Sequence, residues 1–273
     1  MERLKKKQSS NNRDWVNAWH NCTKTISRSH IETLTENTVN MIRSVIAEHG
    51  FKRVAYSWSG GKDSIVLYDV LKKSGIEMIG GVLALYEHEF PEFYDWLCEN
   101  KPPEVQVIKT NAFTDDFLNK NPEYLFPMET KYKDAYLPPR WKVQNDFIKN
   151  YGVDCMILGR RLADGNNCGK RDNNFVTTSK KGCKFNPLAD WTHEDILAYI
   201  QYNELELPPI YFYENGFKAG TQVWTEKRRI NGHFFETFDL LMEIDERIIQ
   251  QSIGKLKIVD EYIEYKKNGG TIK

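Results

Sequence analysis

The residues best suited to chemistry lie in one short stretch, Ser59-Gly60-Gly61-Lys62-Asp63-Ser64, between the apolar run VAYSW and a helical pattern. Glycines at a strand-to-helix turn allow positive φ angles and let the backbone approach a ligand closely. Their N–H groups, with those of the first helical turn, form a positive concavity that suits phosphate. The lysine adds a mobile positive charge and the serines add hydroxyl donors. The stretch therefore predicts a cradle for a pyrophosphate group.

An ordinary glycine-rich turn with a solvated lysine would use some of the same residues. The complete set, placed between a predicted strand and a predicted helix, favours the cradle. The GxxxxGK[ST] spacing of a Walker A loop is absent, which argues against hydrolysis of a γ-phosphate and favours chemistry at the linkage between the α- and β-phosphates. Asp63 is a candidate to cap the turn or to help hold Mg²⁺ beside the phosphates.

Strand and helix patterns alternate around this stretch. Apolar runs predict four strands, over 53–58, 78–85, 105–109 and 155–158. Helical periodicity separates them, over 64–73, 91–99 and 140–150. Such alternation predicts an α/β fold with a parallel, doubly wound sheet covered on both faces. Right-handed crossovers then bring the loops that follow the strands to the carboxyl edge of the sheet, where ligands bind.

Pattern and composition divide the chain into four regions. Residues 1–13 are charged and polar and predict a flexible basic tail. Residues 14–50 predict a helical extension that stops at Gly50. The α/β core is expected over 51–225, and a C-terminal helical region with amphipathic spacing over 226–273.

The overall composition excludes several classes of protein. With 38 basic and 38 acidic residues the net charge is zero, so no global field points to a nucleic acid or a membrane. No apolar run reaches about 18 residues, and the polar start lacks the apolar segment of a signal peptide. Five scattered cysteines form neither a disulfide framework nor a CxxC metal pair. We therefore expect a cytoplasmic protein without a membrane span.

Five ordered stretches resemble the PP-loop ATP-pyrophosphatase superfamily and, within it, the phosphoadenylylsulfate (PAPS) reductase-like family. The first is SGGKDS itself. The others are similar to the family's FPE, GxRxxES, PLxxWTxxDV and LPxxPLY…GY segments, and stand at 89–92, 159–164, 186–196 and 207–217. In the GxRxxES-like stretch, Asp164 and Gly165 replace Glu and Ser. The resemblance covers roughly residues 50–225 and implies an adenine nucleotide alpha hydrolase-like, Rossmann-like fold with added terminal helices.

The resemblance also implies a nucleotide site for ATP, or a related adenine nucleotide, with Mg²⁺. Its residues would be Ser57, Ser59, Gly60, Gly61, Lys62, Asp63, Ser64, Gly159, Arg160 and Arg161. Lys62, Asp63 and Arg161 are the catalytic candidates, with Lys62 and Arg161 on the leaving and transferred phosphates. Candidates on the substrate side are His88, Glu92, Asp164, Lys227, Arg228 and Arg229. The basic cluster 227–229 could equally be a solvated face. No metal-ligand set is assigned.

The cysteines depart from the pattern of the family's reductases. Those enzymes use a cysteine nucleophile near the C-terminus in an ECGLH-type motif, whereas no cysteine follows Cys183 here. The cysteine pairs of iron–sulfur members are also missing, so no iron–sulfur cluster is expected. Cys168 and Cys183 are candidates for a sulfur carrier or a metal ligand, against the simpler interpretation as structural thiols.

Three functional hypotheses follow. The first is transfer of an adenylyl or nucleotidyl group from ATP to an unknown acceptor with release of pyrophosphate, as in ATP-sulfurylase and FAD-synthase members of the family. The second is reduction of adenylylated sulfate by an external thiol or by Cys183. The third is a nucleotide sensor with a protein or DNA partner and no turnover. The N-terminal helices and the Pro- and Tyr-rich loop 119–139 are candidate surfaces for a homodimer or a protein partner.

Overall fold

The computed structural model describes residues 14–125, 131, 134–179, 182–212, 216–221 and 234–270. The predicted tail 1–13, the cluster Lys227-Arg228-Arg229 and part of the loop 119–139 lie outside the described residues. The chain forms two compact units. The first comprises Met1–Leu83, Pro102–Val107 and Gln144–Leu207, and the second comprises Ala84–Lys101, Ile108–Val143 and Pro208–Lys273.

Strands and helices alternate through the middle of the chain, as the sequence predicts. The strands are β1 (Val54–Ser57), β2 (Gly80–Leu85), β3 (Val105–Lys109), β4 (Cys155–Ile157), β5 (Val176–Ser179) and β6 (Gly182–Phe185). The helices are α1 (Trp15–Thr25), α2 (Arg28–His49), α3 (Lys62–Ser74), α4 (Pro91–Asn100), α5 (Asp115–Lys120), α6 (Leu137–Tyr151), α7 (His193–Tyr202), α8 (Gly216–Ala219), α9 (Phe234–Ile244), α10 (Arg247–Gln250) and α11 (Lys257–Lys267).

Among the described residues the strands form one sheet with the order β3-β2-β1-β4-β6-β5. The pairs β1–β2, β1–β4 and β4–β6 are parallel, which confirms the predicted α/β fold with a largely parallel sheet. All three residues of β4 and the first three of the four residues of β1 are buried, as is typical of a sheet covered on both faces. The carboxyl ends of β1 and β4 therefore lie side by side.

The hairpin β5–β6 is the part of the sheet that the sequence pattern did not predict. Its strands pair antiparallel, and β6 joins the sheet beside β4. The segment VTTS has one buried residue and the segment GCKF has two, so neither contains a continuous apolar run. Short strands of this kind are stabilised largely by pairing, and their sequences carry little periodic signal.

In the first unit, the N-terminal helices pack on the helices of the sheet. Gly50 ends α2 in the left-handed conformation with φ of 65°, which confirms the predicted stop. The indole of Trp191 donates to the Thr38 hydroxyl on α2 at 3.0 Å. Helix α7 begins with a complete capping box, in which the side chains of Thr192 and Asp195 each accept a hydrogen bond from the other residue's backbone N–H. These contacts fix where α7 starts.

In the second unit, the described part of the loop 119–139 is held by the same unit's own residues. Asn119 donates to the Lys255 carbonyl at 2.7 Å and accepts from the Lys257 N–H at 2.8 Å. The hydroxyl of Tyr86 donates to the carbonyl of Tyr136. The described residues beyond 233 include the helices α9, α10 and α11. Of the described helices, none has the length and apolar character to cross a membrane.

Candidate active site

The glycine-rich turn leads directly from the end of β1 into α3. Gly60 has φ of 66°, a left-handed conformation that glycine adopts without strain, and Gly61 is the N-cap residue of α3. Lys62 is the first residue of this 13-residue helix. The turn therefore brings the backbone N–H groups at the start of α3 next to a lysine side chain.

The two serines hold the turn in shape. The Ser64 hydroxyl donates to the Gly61 carbonyl at 2.8 Å and accepts from the Ser59 N–H at 3.1 Å. The Ser59 hydroxyl lies 3.3 Å from the Gly61 N–H, which donates to it, and 3.3 Å from the Ser64 hydroxyl. Both hydroxyls thus bind loop backbone. That they also bind phosphate stays a prediction.

Asp63 lies between two cations. Its Oδ1 accepts from Arg161 Nε at 2.8 Å, and its Oδ2 accepts from Lys62 Nζ at 2.9 Å. Lys62 is only 8% exposed and Arg161 is 0% exposed. Burying these charges is tolerable only because each has a partner of opposite sign. The carboxylate therefore holds both cations at the start of α3.

The pKa values of the two carboxyl groups of the site, Asp63 and Asp164, are shifted in opposite directions. Burial alone would raise the pKa of Asp63, but the charges of Arg161 and Lys62 outweigh it and lower that pKa to about 2. The pKa of Asp164 is raised, first by burial and then by the charge of Asp63. Asp63 therefore stays ionised, while Asp164 is the carboxyl group that takes up a proton more readily.

Arg161 uses its donors on protein groups. Besides Asp63, it donates from Nη2 to Asp164 Oδ1 at 2.9 Å and from Nη1 to the Trp191 carbonyl at 3.4 Å. Nη2 also lies 3.3 Å from His193 Nδ1, which accepts because a guanidinium only donates. With complete burial, this arrangement is typical of a residue that positions others. The sequence predicted that Arg161 contacts a transferred phosphate, but in the structure its donors contact protein groups instead.

Gly159 lets the loop after β4 approach the first turn of α3. A Cβ at this position would lie 3.0 Å from the main-chain oxygen of Asp63 and 3.2 Å from its carbonyl carbon. Such distances are tighter than ordinary packing, so a side chain here would separate the two segments. The sequence predicts Gly159 as a nucleotide residue, and the structure gives it a packing role beside the cradle.

Arg160 differs from its neighbour Arg161. It is half-buried and forms no hydrogen bond or ion pair with the described part of the chain. Because it follows β4 at the carboxyl edge of the sheet, its guanidinium is a cation available to an anionic ligand.

Two residues of the site were not predicted from the sequence. Trp15 on α1 lies with its ring 5.6 Å from Lys62 Nζ and meets the His193 ring edge-on at 4.9 Å. His193, at the start of α7, lies 3.7 Å from Asp164 Oδ1. The capping box indicated where His193 lies on its helix. No local signal in the sequence indicated that Trp15 would reach this loop, since that contact depends on helix packing.

Ser57, the last residue of β1, is joined to α6. Its hydroxyl accepts from Gln144 Nε2 at 2.8 Å. The other amide atom, Gln144 Oε1, is buried without a hydrogen-bond partner in the described residues. Ser57 therefore lies at the predicted edge of the sheet, directly before the cradle.

The remaining substrate-side candidates belong to the second unit. His88 Nε2 lies 2.9 Å from Asp115 Oδ1, and burial lowers the His88 pKa although Asp115 opposes the shift. Glu92 is in the first turn of α4. Asp164, by contrast, lies among the residues of the cradle.

Cys183 lies apart from the cradle, whereas Cys168 packs against Leu162, the residue that follows Arg161. Cys183 is in register with Cys155, which is in register with Val54, the first residue of β1. At about 3.3 Å per residue, that level is about 16 Å before Ser59 along the strand direction. Cys168 is buried beside Phe175 and Ala189, and burial raises its pKa to about 11. Neither thiol is positioned as a nucleophile in this arrangement.

The residues of the cradle do not fit a magnesium ion held by Asp63. Both of its carboxylate oxygens bind cations, and Arg161 and Lys62 would repel a third cation placed beside them. The described residues also contain no cluster of three or more acidic, His or Cys side chains that could hold a metal. Mg²⁺ stays a prediction, as an ion that accompanies the phosphates of a nucleotide.

Comparison with known proteins places this geometry in context. Residues 53–257 match the family model of the phosphoadenosine phosphosulfate reductase domain. A phosphoadenosine phosphosulfate reductase of Emericella nidulans is 25% identical over 184 residues, which is 63% of this chain and 56% of that protein. The match thus spans just over half of the curated relative.

Two solved structures are similar to parts of this chain. A PAPS reductase from Candida auris, solved with phosphate, has 19% identity and a TM-score of 0.47, and the likeness covers 67% of this chain and 90% of that one. A U34-tRNA thiolase from Methanococcus maripaludis has 14% identity and a TM-score of 0.46, with 89% and 81% covered. At these TM-scores, neither structure bears on the reaction.

Proposed function

The chain belongs to the phosphoadenosine phosphosulfate reductase domain family, and on this premise we propose that it is an enzyme that transfers an adenylyl or nucleotidyl group from ATP to an acceptor. The observation that carries the proposal is the junction of β1 and α3, where Gly60 in a left-handed conformation, the helix N-terminus and Lys62 meet. Such a junction suits a pyrophosphate group as a leaving group.

The proposed reaction is an in-line displacement at the α-phosphorus. An oxyanion of the acceptor forms a bond to this phosphorus, and the bond to the oxygen that bridges the α- and β-phosphates breaks. The electron pair leaves with pyrophosphate. The N–H group of Gly60 and the ammonium of Lys62 stabilise the charge that develops on the leaving group, while the Gly61 N–H, which donates to the Ser59 hydroxyl, keeps the turn in shape.

The other charged residues have supporting roles in this proposal. The Asp63 carboxylate accepts from the Lys62 ammonium at the N-terminus of α3 and from the Arg161 guanidinium through its other oxygen. Arg161 is thus a positioning residue, since its donors lie on Asp63, Asp164 and Trp191. Arg160 is the arginine we assign to the transferred phosphate, because it has no ion-pair partner in the described part of the chain.

Reduction of an adenylylated sulfate is a second candidate, favoured by the family. A hydrogen bond from Cys155 is the main cause that lowers the pKa of Cys183, to about 7, but Cys183 is buried, with 6% of its surface exposed. Its position level with the start of β1 also separates it from the cradle, so this reaction would need an external thiol. A Cys183→Ser protein that still reduces the substrate with added thiol would support this route over adenylyl transfer.

Incubation with α-labelled ATP and Mg²⁺, with and without sulfate, tests the main proposal. We expect labelled AMP or an adenylylated product together with pyrophosphate. Formation of labelled ADP as the sole product would contradict it. Lys72→Ala, which removes a lysine on the same helix away from the cradle, is the control for Lys62→Ala. Tight ATP binding with no product under any condition would favour the non-catalytic sensor.

A further inference from the structure

Five side chains of the first unit form a closed ring of contacts around the start of α3, which we call the contact ring. Lys62 meets Asp63 at 2.9 Å, and Asp63 meets Arg161 at 2.8 Å. Arg161 meets His193 at 3.3 Å, and His193 meets the Trp15 ring with centroids 4.9 Å apart. The Trp15 ring lies 5.6 Å from Lys62 Nζ, which closes the ring.

Trp15 is the one member of the contact ring that precedes the matched residues 53–257. Trp15 belongs to α1, and side chains of α7 form hydrogen bonds with main-chain carbonyls of that helix and of its C-cap residue. Gln201 donates to the Trp19 carbonyl at 2.7 Å, and the Tyr202 hydroxyl lies 3.0 Å from the Thr23 carbonyl and 2.8 Å from that of Ile26. The same α7 carries His193 at its start. The position of Trp15 is therefore coupled to that of the buried charges.

We propose that Trp15 is a positioning residue for Lys62, so that the N-terminal helix completes the phosphate-binding site. An ammonium group over the face of an indole ring is attracted by the ring's quadrupole. Lys62 carries its ammonium on a flexible four-carbon side chain and is only 8% exposed. The contacts with the Trp15 ring and with Asp63 together restrict where this ammonium lies. Without the ring, Lys62 samples positions that point away from the cradle. This inference rests on the proposed function of Lys62 as the cation that binds pyrophosphate.

Trp15 is proposed to act through the π-face of its ring and not through the volume of its side chain. Trp15→Phe retains a π-face, and Trp15→Leu retains an apolar side chain without one. We expect Trp15→Leu to weaken pyrophosphate binding about three- to tenfold and Trp15→Phe to weaken it less. Val16→Ala is the matched control, because Val16 is the next residue on α1 and is 64% exposed. It should leave binding unchanged.

The decisive experiment measures pyrophosphate binding by calorimetry in the wild type, Trp15→Leu, Lys62→Ala and the double variant. The proposal predicts that Trp15→Leu has no further effect once Lys62 is absent. Equal effects of Trp15→Leu with and without Lys62, or equal losses in Trp15→Phe and Trp15→Leu, would overturn it. Thermal melts of all variants identify any that do not fold, and Trp15→Phe keeps the test valid if Trp15→Leu is among them.

This outcome can be separated from that of the proposed function. Pyrophosphate binding does not require turnover, so a Lys62-dependent effect of Trp15 would stand even if α-labelled ATP gave no product. Conversely, if pyrophosphate does not bind the wild type at all, both the cradle and the role of Trp15 fail. The emission of Trp15, taken as the difference between wild type and Trp15→Phe, should change on pyrophosphate addition only when Lys62 is present.

Discussion

The two ends of the parallel strands use the same residue types in different ways. At the amino end, Asp154 accepts from the main-chain N–H groups of Lys52 at 2.8 Å and Arg53 at 3.1 Å. Its charge therefore fixes the entry to β1. At the carboxyl end, Asp63 accepts instead from the side chains of Lys62 and Arg161, both of which are buried.

This difference shows where the fold tolerates an excess of positive charge. At the amino end the carboxylate satisfies backbone, which is ordinary structural hydrogen bonding. At the carboxyl end, Lys62 follows β1 at the N-terminus of α3, and Arg160 and Arg161 follow the neighbouring strand β4. Positive charge gathered beside a helix N-terminus is typical of an anion site rather than of a structural one.

Removal of Lys62 should give the largest functional effect. Lys62→Ala is expected to lower turnover of ATP at the α-phosphate about 100- to 1000-fold, because the cation that stabilises the leaving pyrophosphate is lost. Turnover is measured with α-labelled ATP under saturating nucleotide. Lys72→Ala should match the wild type, and equal losses in the two variants would contradict the assignment of the cradle.

Removal of the Asp63 charge should give the largest effect on stability. Asp63→Asn leaves two buried cations without their shared partner and is expected to lower the free energy of unfolding by about 3 kcal/mol at neutral pH. Urea unfolding measures this difference. Asp164→Asn should cost less, because burial and Asp63 already raise the pKa of Asp164 and disfavour its charge. A larger loss for Asp164→Asn would reverse the roles assigned to the two carboxyl groups.

The same pair gives a pH dependence with a defined sign. The pKa of Asp63 is lowered from its ordinary value of 3.8 to about 2 in the folded chain, so its ionised form stabilises the fold above about pH 4. That contribution is lost as the pH falls towards 2. The stability gap between wild type and Asp63→Asn should therefore close over this range. A gap that is constant from pH 5 to the acid limit of folding would show that the carboxylate is not held by the two cations.

Two glycines, Gly152 before β4 and Gly159 after it, allow the same substitution to be compared at the amino and carboxyl ends of the strand. Gly159→Ala places a Cβ 3.0 Å from the Asp63 main-chain oxygen and should destabilise the chain by about 1–3 kcal/mol and lower turnover. Gly152→Ala, before β4, meets Arg53 Nε at 3.5 Å but has a positive φ of 57°. It should cost about 1 kcal/mol through backbone strain and leave turnover per folded molecule unchanged. Equal losses of turnover would remove the distinction between the two ends.

The smallest effect is expected from Cys183 at the amino end. Because Cys183 is level with Val54, Cys183→Ser should change turnover of ATP less than twofold. The matching Cys155→Ser variant, at the fully buried neighbour, should reduce stability more than turnover. A strong loss of turnover in Cys183→Ser would show that this thiol reaches the site in another arrangement of the chain.

The sequence predicted the carboxyl end of the sheet better than its edge. Local patterns were sufficient for β1, the glycine turn and α3, because glycine positions, apolar runs and the helix start are all encoded within a few residues. The hairpin β5–β6 was missed because its short strands, which lack a continuous apolar run, are stabilised by pairing, β6 with β4 and β5 with β6. Trp15 was missed because its contact with Lys62 depends on how α1 packs on α7, which no local pattern records.

Residue types were also a better guide to location than to role. The sequence predicted Arg160 and Arg161 together as phosphate ligands, yet the structure buries Arg161 behind Asp63 and leaves Arg160 half-buried. Adjacent residues on an extended segment point to opposite sides, so Arg161 faces the carboxylates of Asp63 and Asp164 and Arg160 does not. That division depends on the orientation of the loop after β4.

Hydrogen exchange in the presence and absence of pyrophosphate would test the central claim most directly. We predict slower exchange at 59–64, at the glycine turn and the start of α3, and at 159–161, with no change at the amino end around 152–155 and 182–184. Protection centred on the amino end, or binding with no protection at 59–64, would contradict the assignment of the carboxyl end as the nucleotide site.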